Sequence, residues 1–303
     1  MPSRSNKMVR VTASHKKTPS ALGLGVFLWR TIHGRHPSGR RCTTLKMAPG
    51  HFLWLLLTLS LHSLADCGQG DGRWFTVERV VDGDTLRLSD GRSVRVLGMN
   101  APELDRKGQP GQSLGVEAKR AAELFVEQAK GRVQLGLEQE QRDHYGRVLA
   151  HVYNPQGQSL AVSLLQQGLA FPIAVPPNID QAECLFAAHE EARQVRRGIW
   201  GKAAWKAKPA TQLNQRDTGF QRIKGRIEKV DINSAVWLEL EGALVLRIAR
   251  EDWPYFSYTA NDWKSLKGKS LEVQGWVTAR RNTNPSFKPL VMAVRSPLVL
   301  RFD

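Results

Sequence analysis

Val81-Asp82-Gly83-Asp84-Thr85-Leu86-Arg87-Leu88, continued by Ser93-Val94-Arg95-Val96-Leu97-Gly98-Met99-Asn100-Ala101-Pro102-Glu103, is the stretch from which the chain is best read. Apolar and polar residues alternate through 75 to 81, 85 to 88 and 93 to 97, and Asp90-Gly91 separates the last two runs. Asp-Gly between alternating runs is a hairpin signal, so three short antiparallel strands are expected. The same stretch supplies acidic oxygens at Asp84, a free carboxylate at Glu103 and a guanidinium at Arg95, and Asp143-His144-Tyr145-Gly146-Arg147 brings a second guanidinium. Hard oxygens can hold a divalent cation, guanidiniums match phosphate oxygens in pairs, and a carboxylate can take a proton from water. Such a set suits a phosphodiester.

Outward from this stretch, residues 105 to 114 combine Gly108, Pro110 and Gly111 with Arg106 and Lys107 and read as a mobile basic loop. Residues 116 to 129 carry Ala118, Ala121, Ala122, Phe125 and Val126 at helical spacing. Strands are expected at 133 to 137 and 148 to 153. A helix from about 160 to 167 ends at Gly168, and Pro172, Pro176 and Pro177 forbid its continuation. The next helix, 181 to 197, stops before Gly198. Five strands with a few helices describe a small barrel with helices packed on it.

Residues 202 to 218 lack periodicity and read as a linker. Strand-like runs return at 221 to 230, 235 to 240, 244 to 248, 270 to 277 and 289 to 294, which predicts a second small β-barrel. This part interleaves Trp253, Tyr255, Phe256, Tyr258 and Trp263 with lysines, a pattern that suits base stacking in a basic groove. Trp237 and Trp276 lie in strand runs and are expected in the core. For 253 to 263, core and stacking readings stand level.

The net charge of +16 misleads until it is located: residues 1 to 65 hold ten of the Lys and Arg residues and no Asp or Glu. In residues 219 to 303 there are 14 Lys or Arg against 9 Asp or Glu, whereas 66 to 218 is nearly balanced at 20 against 19. The leader is expected to be disordered up to the apolar run at 52 to 61, which is too short for a comfortable bilayer span and precedes Ser63-Leu64-Ala65. It reads as a cleaved secretory signal, giving a secreted or periplasmic chain with no stable membrane span; an uncleaved anchor, a twin-arginine signal and a transit peptide are the lesser readings. Asp66 before Cys67 disfavours lipidation. Removal of the leader leaves Cys67 and Cys184, a disulfide candidate in an oxidising compartment. No Cys/His grouping has zinc spacing, and His189-Glu190-Glu191-Ala192-Arg193 lacks a second histidine.

From about residue 75 to 200 these motifs resemble the thermonuclease family, whose type member is staphylococcal nuclease. The resemblance implies an OB-fold five-stranded barrel with packed helices over 66 to 201; the small β domain at 219 to 303, read as OB-like from its strand pattern, lies outside the resemblance, and the two together make an α+β, mainly β chain. It also implies calcium-dependent hydrolysis of DNA, RNA or both, with another divalent cation as an option, and a monomer is assumed. Carried over residue by residue, a metal-binding aspartate falls on Asp84, the phosphate-clamping arginines on Arg95 and Arg147, and the general base on Glu103.

Two departures stand out. Asn100 occupies the place of a second metal-binding aspartate; its amide oxygen can ligate a cation, beside the Ala101 carbonyl, but brings no charge, so a weaker site is expected. Tyrosines that stack a nucleotide in the family are absent from Ala174-Val175-Pro176-Pro177. His144 replaces a lysine that touches a terminal phosphate, while Tyr145 is retained, which makes both substrate-contact candidates. Asp82 is assigned mainly to turn structure. A catalytically silent nucleic-acid-binding protein on the same fold is the rival reading, and a docking role for the C-terminal domain is a third.

Overall fold

The computed structural model describes residues 67–303, apart from 71, 106, 107, 109, 281–283 and 285. The signal-peptide reading, and Arg106 and Lys107 of the expected basic loop, lie outside the described residues. Among the described residues no helix is long and apolar enough to cross a membrane.

The first barrel is laid down in chain order by β1 (Trp74–Asp82), β2 (Thr85–Leu88), β3 (Ser93–Val96), β4 (Met99–Asn100), α1 (Gly115–Gln128), β5 (Arg132–Gly136) and β6 (Val148–Tyr153). α2 (Leu160–Gln166), β7 (Phe171–Pro172) and α3 (Ala182–Gln194) follow. The barrel closes in the order β1-β2-β3-β6-β5, with β3 and β6 parallel and the other neighbours antiparallel. Period-two alternation sorts the side chains: on β3, Val94 and Val96 are buried in the core while Arg95 is turned the other way. α2 presents Leu160, Leu164 and Leu165 to the same core, and Ser159 caps it by accepting from the Val162 N–H. Cys67, just before β1, and Cys184, on α3, are joined by a disulfide across 117 residues of sequence.

Residues 202 to 218, read as a linker, are laid against the rest of the chain. β8 (Lys208–Pro209) pairs with the next strand, and Trp205, Ala210 and Leu213 are buried. The second barrel is formed by β9 (Gly219–Ile232), β10 (Ala235–Leu240), β11 (Leu244–Ala249), α4 (Ala260–Ser265), β12 (Ser270–Ala279) and β13 (Leu290–Ala293), with β14 (Leu300–Phe302) added at the edge of β12. β9 pairs first with β12 and then with β10, β11 runs parallel to β13, and β12 pairs with β13, so the ring closes. Both barrels therefore share one plan: first, second, third, fifth, fourth strand, a parallel third–fifth pair, and a helix between the third and fourth strands. That is the OB plan.

The aromatic residues of the second barrel are placed differently from the reading by composition. Val236, Leu238 and Leu240 on β10, and Leu271, Val273 and Val277 on β12, fill the core. Strand parity then puts Trp237 and Trp276 outside it, which corrects the expectation that both are core. Trp237 is half-buried, with the Arg280 and Arg247 guanidiniums 5.0 and 5.8 Å from its ring centroid, while Trp276 is 41% exposed. Conversely, Phe256 and Trp263 are buried with ring centroids 5.3 Å apart, and Tyr258 packs against them.

A third, small core joins the barrels. The Phe171 ring of β7 lies 5.0 Å from Trp205 and 5.1 Å from Phe220, the latter on β9. Arg222 donates to the Trp205 carbonyl at 2.7 Å, pairs with Glu272, and sits 4.6 Å from the Trp200 ring centroid. Gln274 on β12 donates to the Pro172 carbonyl at 2.7 Å.

Closing so long a loop restricts the unfolded chain, so reduction of the Cys67–Cys184 bridge, or the paired Ser replacements, is expected to lower unfolding free energy by about 2–5 kcal/mol. Denaturant titration with and without reductant measures it, and an unchanged midpoint would contradict the expectation.

Candidate active site

The turn between β1 and β2 needs a residue without a side chain, because a Cβ on Gly83 would lie 2.7 Å from the Ala101 Cβ and 2.9 Å from the Ala118 Cβ. Close packing of the turn on α1 and on the 101 segment results, and it buries Asp82 and Asp84 to 6% exposure each. Asp82 accepts the Asp84 N–H at 3.2 Å, which is the turn role expected of it.

Asp84 is the hub. Its Oδ1 accepts from the Thr85 hydroxyl at 3.1 Å and its Oδ2 from the Ala101 N–H at 2.7 Å. Arg95 Nη1 lies 2.6 Å from the same Oδ2, a charge contact made without hydrogen-bond alignment, while Arg95 Nη2 donates to Asn100 Oδ1 at 3.0 Å. Burial pushes the Asp84 carboxyl up to about 6; Arg95 pulls the other way and the neighbouring Asp82 adds to the rise. Asn100 is buried on β4, held in register opposite Phe171, and Ala101 is buried behind it with its N–H engaged as above.

Glu103 is exposed. Its main chain is fixed by Gln112, whose side-chain oxygen accepts the Glu103 N–H at 2.8 Å and whose N–H donates to the Glu103 carbonyl at 2.8 Å. The first residue of α1 also has to be glycine: a Cβ on Gly115 would stand 2.5 Å from the Glu103 carbonyl oxygen. The carboxylate thus sits on an anchored backbone with access to water.

Arg147 begins the return into β6. Asp143 accepts from its Nε at 2.7 Å and its N–H at 2.9 Å, and also from the Tyr145 N–H at 3.0 Å. Burial acts to raise the Asp143 carboxyl, but these hydrogen bonds outweigh it and hold it below the usual range. The His144 and Tyr145 rings lie with centroids 3.7 Å apart, tilted by 42°, and Tyr145 is 73% exposed.

Asp84, Arg95, Asn100, Glu103 and Arg147 line one cleft of about 650 Å³, together with His144 and Tyr145. A separate cleft of about 550 Å³ beside Cys67 is walled largely by glutamine amides and offers no carboxylate. The disulfide cysteines thus lie apart from the candidate chemistry. Among the described residues no group of three or more His, Cys, Asp or Glu side chains is arranged to hold a metal. Two members of the site escaped the sequence reading. Asp143 figures there only within the segment that carries Arg147 and has no role of its own, and Trp276, which also lines the cleft, comes from the other barrel.

Residues 93–202 match the model of the staphylococcal nuclease homologue family. Thermonuclease of Staphylococcus intermedius is 34% identical over 134 residues, 43% of this chain and 77% of that protein. Endonuclease YncB of Bacillus subtilis is 32% identical over 135 residues, 43% of this chain and 63% of its own length. An uncharacterized endonuclease of Escherichia coli is 29% identical over 155 residues, 50% and 85% of the two chains. The second barrel lies beyond the family match, and through its first barrel the chain belongs to the staphylococcal nuclease family.

Proposed function

We propose that the chain is an exported, divalent-cation-assisted nuclease that hydrolyses phosphodiester bonds of DNA, RNA or both. The observation that carries this reading is the convergence of Glu103, Arg95, Arg147 and Asp84 on one cleft from four separate segments. The nuclease names of the relatives support it, as does the resemblance of these motifs to the thermonuclease family. Export rests on the apolar run near the N-terminus and on the disulfide, which suits an oxidising compartment.

Water attacks phosphorus in line with the leaving oxygen. Glu103, exposed and anchored through its main chain, accepts the water proton. Arg147 and Arg95 stabilise the charge that builds on the phosphoryl oxygens. Asp143 takes the Nε edge of Arg147, so the Nη groups are the ones that serve phosphate. Arg95 is kept in place by Asp84 and Asn100.

The donor set fits a hard divalent ion. Asp84, Asn100 and the Ala101 carbonyl offer only oxygen, and the burial that raises the Asp84 carboxyl is the condition that a nearby cation relieves. We assign Ca2+, which when bound would neutralise a phosphate oxygen. One carboxylate and one amide make this set less charged than two carboxylates.

Digestion of single- and double-stranded DNA and RNA, with calcium or with chelator, tests the reading. Glu103→Gln is expected to lower kcat about 10²–10⁴-fold and Arg147→Ala about 10²–10³-fold. Robust cation-dependent cleavage by both variants would refute the assigned roles, and nucleic-acid binding without any cleavage by the parent chain would favour the silent binder. Asn100→Asp adds a ligand charge and is expected to lower the calcium concentration for half-maximal activity by about tenfold; a calcium titration that does not move removes Asn100 from the ligand set.

A further inference from the structure

We propose that Trp276, carried by the C-terminal barrel, is a nucleobase-stacking platform of the active site, so that the catalytic cleft is built by both barrels. The inference rests on the nuclease reading and names a subsite within it.

Four observations carry it. On β12 the residues on either side of the tryptophan in the pleat, Gly275 and Val277, are turned into the barrel, which sends the indole outward. Phe220, its cross-strand partner, supports it, meeting it edge-on at 5.1 Å between centroids. Its remaining surface is open, at 41% exposure. Finally, the ring borders two clefts at once: the catalytic one, and an adjoining space of about 400 Å³ that also contains Arg95 and Arg147.

The adjoining space has the chemistry of a base site. Leu97, Ile173 and the exposed Val175 give it apolar walls. The buried Asn178 also lines it, and its amide is oriented by the Glu140 main chain, whose N–H it accepts at 2.8 Å and whose carbonyl it donates to at 2.7 Å. Glu140 and Asp143 also line the space, Asp143 taken up by Arg147. A largely apolar space bordered by an indole and two guanidiniums suits a nucleotide, ring against the indole and phosphate at the arginines. Ala174-Val175-Pro176-Pro177 contributes no ring of its own, and Trp276 supplies one from the other barrel. The position of Trp276 is set by the junction between barrels, through the Phe171–Phe220 contact and the Gln274 hydrogen bond to Pro172. Stacking on a π face tolerates every base, so weak base selectivity follows.

The test uses the full chain with Trp276→Ala, Trp276→Leu and Trp276→Phe. Binding is read by fluorescence anisotropy in chelator, on labelled oligothymidylate and on an equally long abasic tetrahydrofuran phosphate chain, which keeps the charges and lacks the rings. The Ala and Leu variants are expected to bind oligothymidylate about tenfold more weakly and the abasic chain unchanged, with Phe restoring most of the loss. In calcium, the Leu variant is expected to raise KM on oligothymidylate with kcat little altered. Equal losses on both probes, or a Leu variant that matches the parent, would overturn the proposal. If the Ala variant does not fold, the Leu and Phe pair decides. Because binding is read without turnover, ring-dependent binding by a chain that never cleaves would keep the platform and discard the nuclease reading, whereas cleavage indifferent to position 276 would do the reverse.

Discussion

A buried carboxylate is costly unless charge or hydrogen bonds answer it, and Asp84 places that demand in the turn between β1 and β2, at the wall of the cleft. The Ala101 N–H, the Thr85 hydroxyl and Arg95 meet it in part, and in doing so they connect β2, β3 and the segment after β4. Because Arg95 also reaches Asn100, one guanidinium positions both groups proposed as side-chain cation ligands. Burial keeps that carboxyl raised even so, which is one ground for the cation proposed beside it. Close packing also explains why Gly83 has to be small: a Cβ there would meet the Ala101 and Ala118 Cβ atoms and hold the turn off α1.

The second constraint is the junction of the barrels. Phe171, Trp205 and Phe220 form a buried aromatic contact between two barrels that each already have a core. Aromatic pairs of this kind contribute about 0.5–1.5 kcal/mol each beyond the area they bury, enough to align neighbours that are also covalently connected. Arg222 and Gln274 add polar contacts from the second barrel to carbonyls beside that core. The consequence for chemistry is that β12 passes beside the cleft. An OB barrel repeated in one chain thus leaves its neighbour's site no longer bounded by its own side chains alone.

Much of the fold was legible because strand parity leaves a direct mark on the chain. Ser93-Val94-Arg95-Val96 reads as a strand with valines inside and arginine outside, and the structure has it so. The same parity was present for Trp237 and Trp276, since Val236, Leu238, Val273 and Val277 define the inward phase. Residue type obscured it: a tryptophan in an apolar run looks like core. The reverse holds for Trp263 and Phe256, which lie outside any strand run and are buried by a helix and turn that fold back on the barrel. Residues 202 to 218 looked like a linker because Trp205, Ala210 and Leu213 each make separate contacts, and isolated contacts leave no period.

Local sequence alone determined the strands, the turns and the chemical types gathered in the cleft, because alternation, glycine placement and charge act over a few residues. Only the tertiary structure decided that Asp143 secures Arg147, that Arg95 bridges Asp84 and Asn100, and that an indole from beyond the family domain borders the cleft. Those relations depend on side-chain directions and on the packing of one barrel against another, which act between residues far apart in the chain.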